Sequence, residues 1–158
     1  MLTGDNEAAA RSVAEATGIG SFRAALKPED KVEAVRLLTS EGRTAFVGDG
    51  MNDGPALASA DLGIALATGT DLAREAAHVT LMRPDLWLVP ASLDIAASTR
   101  RVIRQNLVWA FIYNVIGIPL AALGLLSPVF AGAAMAFSSV SVVTNSARLT
   151  RWKPKKTS

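Results

Sequence analysis

Two short acidic turns hold the residues that could do chemistry. Positions 3–6 read "TGDN" and positions 47–57 read "VGDGMNDGPAL", each after a short apolar run. Asp49 and Asp53 crowd into the second turn, and Asp5 places another carboxylate in the first. Close carboxylates repel one another and favour a bound cation, and oxygen ligands with room for water suit Mg²⁺. Gly48, Gly50 and Gly54 let the backbone turn sharply and approach a ligand closely. Thr3 could hydrogen-bond a phosphoryl oxygen, and Lys31 could supply the positive charge that phosphoryl transfer needs. "GDG" alone is an ordinary turn composition, and Lys31 alone would be the solvated face of a helix. Together they describe a turn that holds Mg²⁺ beside a phosphate.

The elements around these turns alternate. Short apolar runs predict a strand ending at Leu2 and strands at 22–26, 44–47, 62–66 and 78–81, with helices between them. One helix covers 7–16, with Asn6 as its cap and Gly18 as its stop. Another begins at "KPEDKVEAVRLL": Pro28 occupies the first turn, Glu29 and Asp30 complement the positive helix end, and Gly42 closes it. Strand–helix alternation predicts a parallel, doubly wound α/β layer, in which ligands bind at the carboxyl ends of the strands, where both acidic turns fall.

The second half is different in kind. Between Gln105 and Ala147 there is no Asp, Glu, Lys, Arg or His. A spanning helix needs about 20 mostly apolar residues, and the run holds two such stretches, 107–126 and 129–147, parted by Ser127-Pro128. Basic residues flank both ends: Arg100, Arg101 and Arg104 before, and Arg148, Arg151, Lys153, Lys155 and Lys156 after. The positive-inside rule puts both flanks in the cytoplasm. The expected organisation is a soluble α/β portion at 1–83, a connecting helix at 84–106, a membrane hairpin at 107–147 and a basic cytoplasmic tail at 148–158. The tail would meet anionic lipid headgroups. The formal charge of +2 comes largely from these flanks and does not point to nucleic acid. No basic-then-apolar signal peptide opens the chain, and the absence of cysteine excludes disulfides and thiolate metal sites within these residues.

"TGDN", "KPEDK" at 27–31 and "VGDGMNDGPAL", in this order and ahead of a membrane hairpin, resemble the C-terminal part of a P-type ATPase. These pumps belong to the haloacid-dehalogenase-like, Rossmann-like group, in which ATP phosphorylates an aspartate. The resemblance implies that Thr3 and Lys31 contact the aspartyl phosphate and that Asp49 binds Mg²⁺. It also implies that Asn52 and Asp53 complete the site, Asp53 with a share in the metal, and that Asp5, Gly4, Gly48 and Gly50 shape it. Gly54 stands where the family more often has alanine. The "DKTG" segment with its phosphorylated aspartate, the "TGE" actuator loop and the nucleotide-binding domain are absent. The expectation is therefore a piece of a longer pump in the cell's inner membrane, inactive alone, with ATP bound mostly elsewhere. The alternative is a naturally short, non-catalytic membrane module that partners or regulates such an ATPase.

Polar residues inside a span are default candidates for a transport path. The first span carries Tyr113 and Asn114; the second carries Met135, Ser138, Ser139, Ser141 and Thr144, with Asn145 near its end. None is charged. A divalent ion would be expected to meet a carboxylate, whereas a soft monovalent ion is served by a thioether and neutral oxygens, which favours Cu(I), or Ag(I), over Zn(II). "YNVIGIP" and "MAFSS" resemble the last two helices of copper-transporting P-type ATPases. That resemblance implies that Tyr113, Asn114, Met135 and Ser138 line the ion site, with cysteines on a helix this chain lacks.

Overall fold

The computed structural model describes residues 1–49, 52–66 and 75–154, and only the backbone of Pro128. It divides into two units, Met1–Leu86 and Trp87–Ser158. In the first, helix α1 (Glu7–Thr17) starts where the Asn6 side chain accepts the Ala9 N–H at 2.9 Å. It stops at Gly18, whose φ of 70° is left-handed and lets Ile19 N–H reach back to the Ala14 carbonyl. Helix α2 (Pro28–Glu41) opens with proline, and Asp30 accepts the Lys27 N–H at 2.9 Å.

Strands β1 (Ala45–Gly48), β2 (Leu62–Leu66) and β3 (Val79–Leu81) form a parallel sheet in the order β1-β2-β3. Ala45 pairs with Leu62, and Ile64 with Val79. Helix α3 (Gly54–Ser59) links β1 to β2. Parallel strands need covered faces: Val35 of α2 and Ala56 and Ala60 bury together, with Leu2, Val32 and Phe46 packed against them. Leu57 and Ala65 form a second cluster. Gly63 is required where α3 meets β2, because a Cβ there would collide with the Leu57 carbonyl, 2.9 Å from its carbon and closer to its oxygen. His78 extends the β2–β3 pairing: its N–H donates to the Gly63 carbonyl, and its Nδ1 accepts the Gly63 N–H.

Two expected strands, the one ending at Leu2 and the one at 22–26, are reduced to a single bridge. Residues 22–26 form no strand; Leu2 and Arg23 make an isolated parallel bridge. Ala25 takes a positive φ of 54°, and the N–H groups of Ala25 and Leu26 donate to the carbonyls of Asp5 and Thr3. The backbone that would have extended a sheet instead holds the first acidic turn.

The second unit is a helical hairpin. Helix α4 (Leu88–Ala122) has 35 residues and α5 (Pro128–Ala147) has 20, followed by a 3₁₀ turn, Arg148–Arg151. Both helices are long and apolar enough to cross a membrane. At about 1.5 Å per residue α4 measures some 50 Å against a hydrocarbon core of about 30 Å, so its arginine-bearing first half has room outside. Pro90 lies in the first turn of α4, where a missing N–H costs nothing. Near the other end Pro119 precedes the cap, the Leu123 and Leu125 N–H groups bond to the Pro119 and Leu120 carbonyls, and Gly124 turns left-handed at φ 71°. The first apolar helix thus ends short of the expected residue 126. Trp152, just past the 3₁₀ turn, donates its Nε1–H to Asp94 of α4 at 3.2 Å.

Candidate functional site

The first acidic turn is tied into the fold by its own side chains. Thr3 Oγ1 donates to Asp5 Oδ2 at 2.7 Å and accepts the Asp5 N–H at 3.1 Å. The backbone bonds to residues 25 and 26 hold the turn from the other side, and Leu2 anchors its start on the cluster that Phe46 of β1 also joins. Gly4 faces the Leu26 carbonyl, 3.4 Å from where a Cβ would stand. Asp5 is exposed and Thr3 half-buried.

The second turn leaves the carboxyl end of β1. Asp49 is exposed, as is Asn52, while Asp53 is the one charged side chain among the described residues that is buried, at 8% exposure. Lys31 of α2 donates its Nζ–H to Asp53 Oδ1 at 2.8 Å, with the two side chains 16% and 11% exposed. The partners are 22 residues apart in sequence, and the bond fixes the ammonium of one helix at the head of another. Gly48 is buried beneath this pair: a Cβ there would stand 2.8 Å from Asp53 Oδ2 and 3.0 Å from its Cβ. Gly50 lies outside the described residues.

A divalent cation fits this arrangement in part. Among the described residues no group of three or more His, Asp or Glu gathers as a metal site. Asp49 presents a free hard oxygen donor, whereas one oxygen of Asp53 is committed to Lys31. Mg²⁺ suits so sparse a donor set, since it keeps several waters and takes one or two carboxylates plus phosphate oxygens.

In the hairpin the four candidate ion-path residues separate into pairs. Half-buried positions on α4 recur at Val102, Asn106, Ala110, Tyr113, Gly117 and Leu120, and on α5 at Ala131, Ala134, Ser138, Ser141 and Asn145. These stripes follow the helical period and mark the faces where the helices meet. Tyr113 and Ser138 lie on them. Asn114 and Met135 do not: Asn114 is exposed and bonds to the Ala110 carbonyl of its own helix at 3.0 Å, and Met135 is 74% exposed. Sequence reasoning passed over Gln105, Asn106 and Ser146, which hydrogen-bond across the hairpin together with Asn145. The available signal was spacing, since Asn106 precedes Tyr113 by the same seven residues that separate Ser138 from Asn145.

Comparison with known proteins decides the family. Residues 1–61 match the haloacid dehalogenase-like hydrolase model. The Cation-transporting P-type ATPase B of Mycobacterium tuberculosis is 58% identical over 150 residues, covering 94% of this chain and 20% of that protein. A Copper-exporting P-type ATPase of Staphylococcus saprophyticus is 56% identical over 154 residues, covering 97% of this chain and 19% of that protein. The chain belongs to the heavy-metal P-type ATPases. The crystal structure of a zinc-transporting PIB-type ATPase superposes with a TM-score of 0.84 at 39% identity, over 94% of this chain and 24% of that one. P-type ATPases use ATP and Mg²⁺ and transport a metal ion. The chain spans about a fifth of the length of the curated relatives it matches.

Proposed function

We propose that this chain is the C-terminal part of an ATP-driven pump that exports Cu(I), or Ag(I), through a phospho-aspartate intermediate formed on a segment outside it. The observation that carries the choice of ion is a hairpin with no ionisable side chain other than Tyr113 between Gln105 and Ala147, bearing Tyr113, Asn114, Met135 and Ser138. A soft monovalent ion can shed water onto a thioether and neutral oxygens; a hard or borderline divalent ion would lack a countercharge. The copper-exporting relative of 56% identity supports the same reading.

In the soluble unit each residue has a definite task. Asp49 would hold Mg²⁺, which would supply positive charge to the transferring phosphoryl group. The Lys31 ammonium, aimed by Asp53, keeps its remaining N–H donors for phosphoryl oxygens. Thr3, whose hydroxyl proton goes to Asp5 without phosphate, would turn that proton to another phosphoryl oxygen on binding. Asn52 and the backbone at Gly4 and Gly48 line the approach. In the hairpin Tyr113 and Ser138 face one another's helix, while Asn114 and Met135 face outward, towards the helices of the longer pump that would complete the ion's shell. The membrane is the cell's inner membrane, with the soluble unit and the basic tail in the cytoplasm and the tail against lipid headgroups.

Two substitutions in the complete pump test this. Asp49→Asn should abolish phosphoenzyme formation, and normal labelling by ATP would end the assignment of Asp49. Met135→Leu should raise the Cu(I) concentration for half-maximal activity by about tenfold, the value of one good ligand contact. An unchanged titration would remove Met135 from the path.

A further inference from the structure

At the end of the hairpin nearest the arginines, four uncharged polar side chains join the helices. Asn145 Nδ2 of α5 donates to Asn106 Oδ1 of α4 at 2.9 Å and to Gln105 Oε1 at 3.2 Å. Asn106 Nδ2 in turn donates to Ser146 Oγ at 2.9 Å. Both amide protons of Asn145 are thereby used, and Asn106 both accepts and donates. Each partner is too short to reach elsewhere along the opposing helix, so the pairing holds in one register only.

The Trp152–Asp94 bond lies beyond the end of α5, and within the spans the described interface lacks another such identifier. Apart from Tyr113, Ser138 and Ser141, its half-buried positions are mostly small and apolar, such as Ala110, Gly117, Ala131 and Ala134. A slide of one helical turn would set small residues against small residues again and lose little packing. A single polar pair in such a seam is the device that specifies register in helical assemblies.

The register it sets is consequential. Asn106 to Tyr113 and Ser138 to Asn145 are both seven residues, about two turns, which return to within about 20° of the same face. The helices run antiparallel, so pairing Asn106 with Asn145 sets Tyr113 opposite Ser138 about 10 Å further along the hairpin. We propose that the Asn106–Asn145 amide pair, supported by Gln105 and Ser146, is a positioning element that fixes the register of α4 and α5 and thereby holds Tyr113 against Ser138 in the ion path. This rests on the reading of those two residues as ion-path residues. A slip of one turn would bring Tyr113 opposite Ala134 or Val142 in place of Ser138.

The test uses the complete pump in membranes and two readouts. In the first, Tyr113→Cys is paired in turn with Ala134→Cys, Ser138→Cys and Val142→Cys, in a background whose other cysteines are replaced, and treated with a short bifunctional thiol reagent. Cross-linking should favour 113 with 138. Asn145→Leu should cut that yield several-fold and raise the yield with 134 or 142, while Asn106→Asp, which still accepts from Asn145, should keep the parent pattern. An unchanged pattern in Asn145→Leu overturns the proposal. Should Asn145→Leu fail to accumulate, Asn106→Ala and Ser146→Ala are scored in its place by the same criterion.

The second readout is the Cu(I) titration of phosphoenzyme formation without added cysteines. Asn145→Ala should raise the half-saturating Cu(I) about 3- to 20-fold, the range of one interhelical hydrogen bond, with the maximal level within about twofold. Asn106→Ala should do the same, and the double variant no more than either. A fall in maximal level at unchanged half-saturation overturns the proposal. A parent pump that ignores Cu(I) instead refutes the ion reading, and the cross-links then decide the register alone.

Discussion

Replacing Gly48 by alanine should impair phosphoryl transfer without unfolding the soluble unit. The added methyl carbon would stand 2.8 Å from Asp53 Oδ2, 3.0 Å from its Cβ and 3.2 Å from its Cγ, whereas ordinary contact begins at 3.4 Å. The carboxylate must therefore retreat by about 0.6 Å, and the Asp53 Cβ, carried by the backbone, must give by about 0.4 Å. Its Oδ1 now holds the Lys31 ammonium at 2.8 Å. Either the lysine follows and leaves the place proposed for it beside the phosphate, or the ion pair stretches and the lysine is no longer aimed. A misplacement of about 1 Å costs on the order of 10²-fold in rate, so a shift of this size predicts a loss of about 10- to 50-fold. Rapid-quench labelling of the complete pump with radiolabelled ATP, at saturating metal, measures it directly. Urea denaturation read by pulse proteolysis should show little accompanying loss of stability. A labelling rate within twofold of the parent would refute the claim that Gly48 is small for the sake of the Lys31–Asp53 pair.

The remaining predictions concern the same unit. Lys31→Met leaves the Asp53 carboxylate buried without its partner and should cost about 2–4 kcal/mol of stability by pulse proteolysis, slightly below the range for a fully buried pair. Adding Asp53→Leu should restore most of it, and a single variant as stable as the parent would count against the pair. Gly63→Ala drives a methyl into the Leu57 carbonyl, which is backbone and cannot yield, and should lower accumulation of the pump severely. Gly54→Ala meets nothing nearer than the Ala76 methyl at 3.9 Å and should be neutral within about 0.5 kcal/mol.

Much of the fold could be read from local chemistry. Asn6 and Gly18 bound α1, Pro28 and Gly42 bound α2, and the apolar run at 62–66 is β2, because caps and breakers act over a few residues and leave a sequence trace. The segment at 22–26 misled for the opposite reason. Its apolar pattern suits a strand, but its N–H groups are engaged by the Thr3 and Asp5 carbonyls about twenty residues away, and no local signal announces such a bond. The acidic turns were conspicuous by composition, yet the Lys31–Asp53 contact depends on how α2 packs against α3, so its closeness appears only in three dimensions. In the hairpin, uncharged polar residues marked candidates for a path, but their sorting into an inner pair, Tyr113 and Ser138, and an outer pair, Asn114 and Met135, required the helices' mutual rotation. Asn106 was hidden by its position at the edge of the charge-free run, where a polar residue draws no notice.

The identity of the ion is tested most directly by metal-dependent phosphorylation. Membranes bearing the complete pump would be stripped of metal, supplied with radiolabelled ATP and Mg²⁺, and titrated separately with Cu(I), Ag(I) and Zn(II). Labelling that rises with Cu(I) and Ag(I) and stays at background with Zn(II), and that vanishes in Asp49→Asn, is the predicted result. Labelling driven by Zn(II) and indifferent to Cu(I) would contradict it.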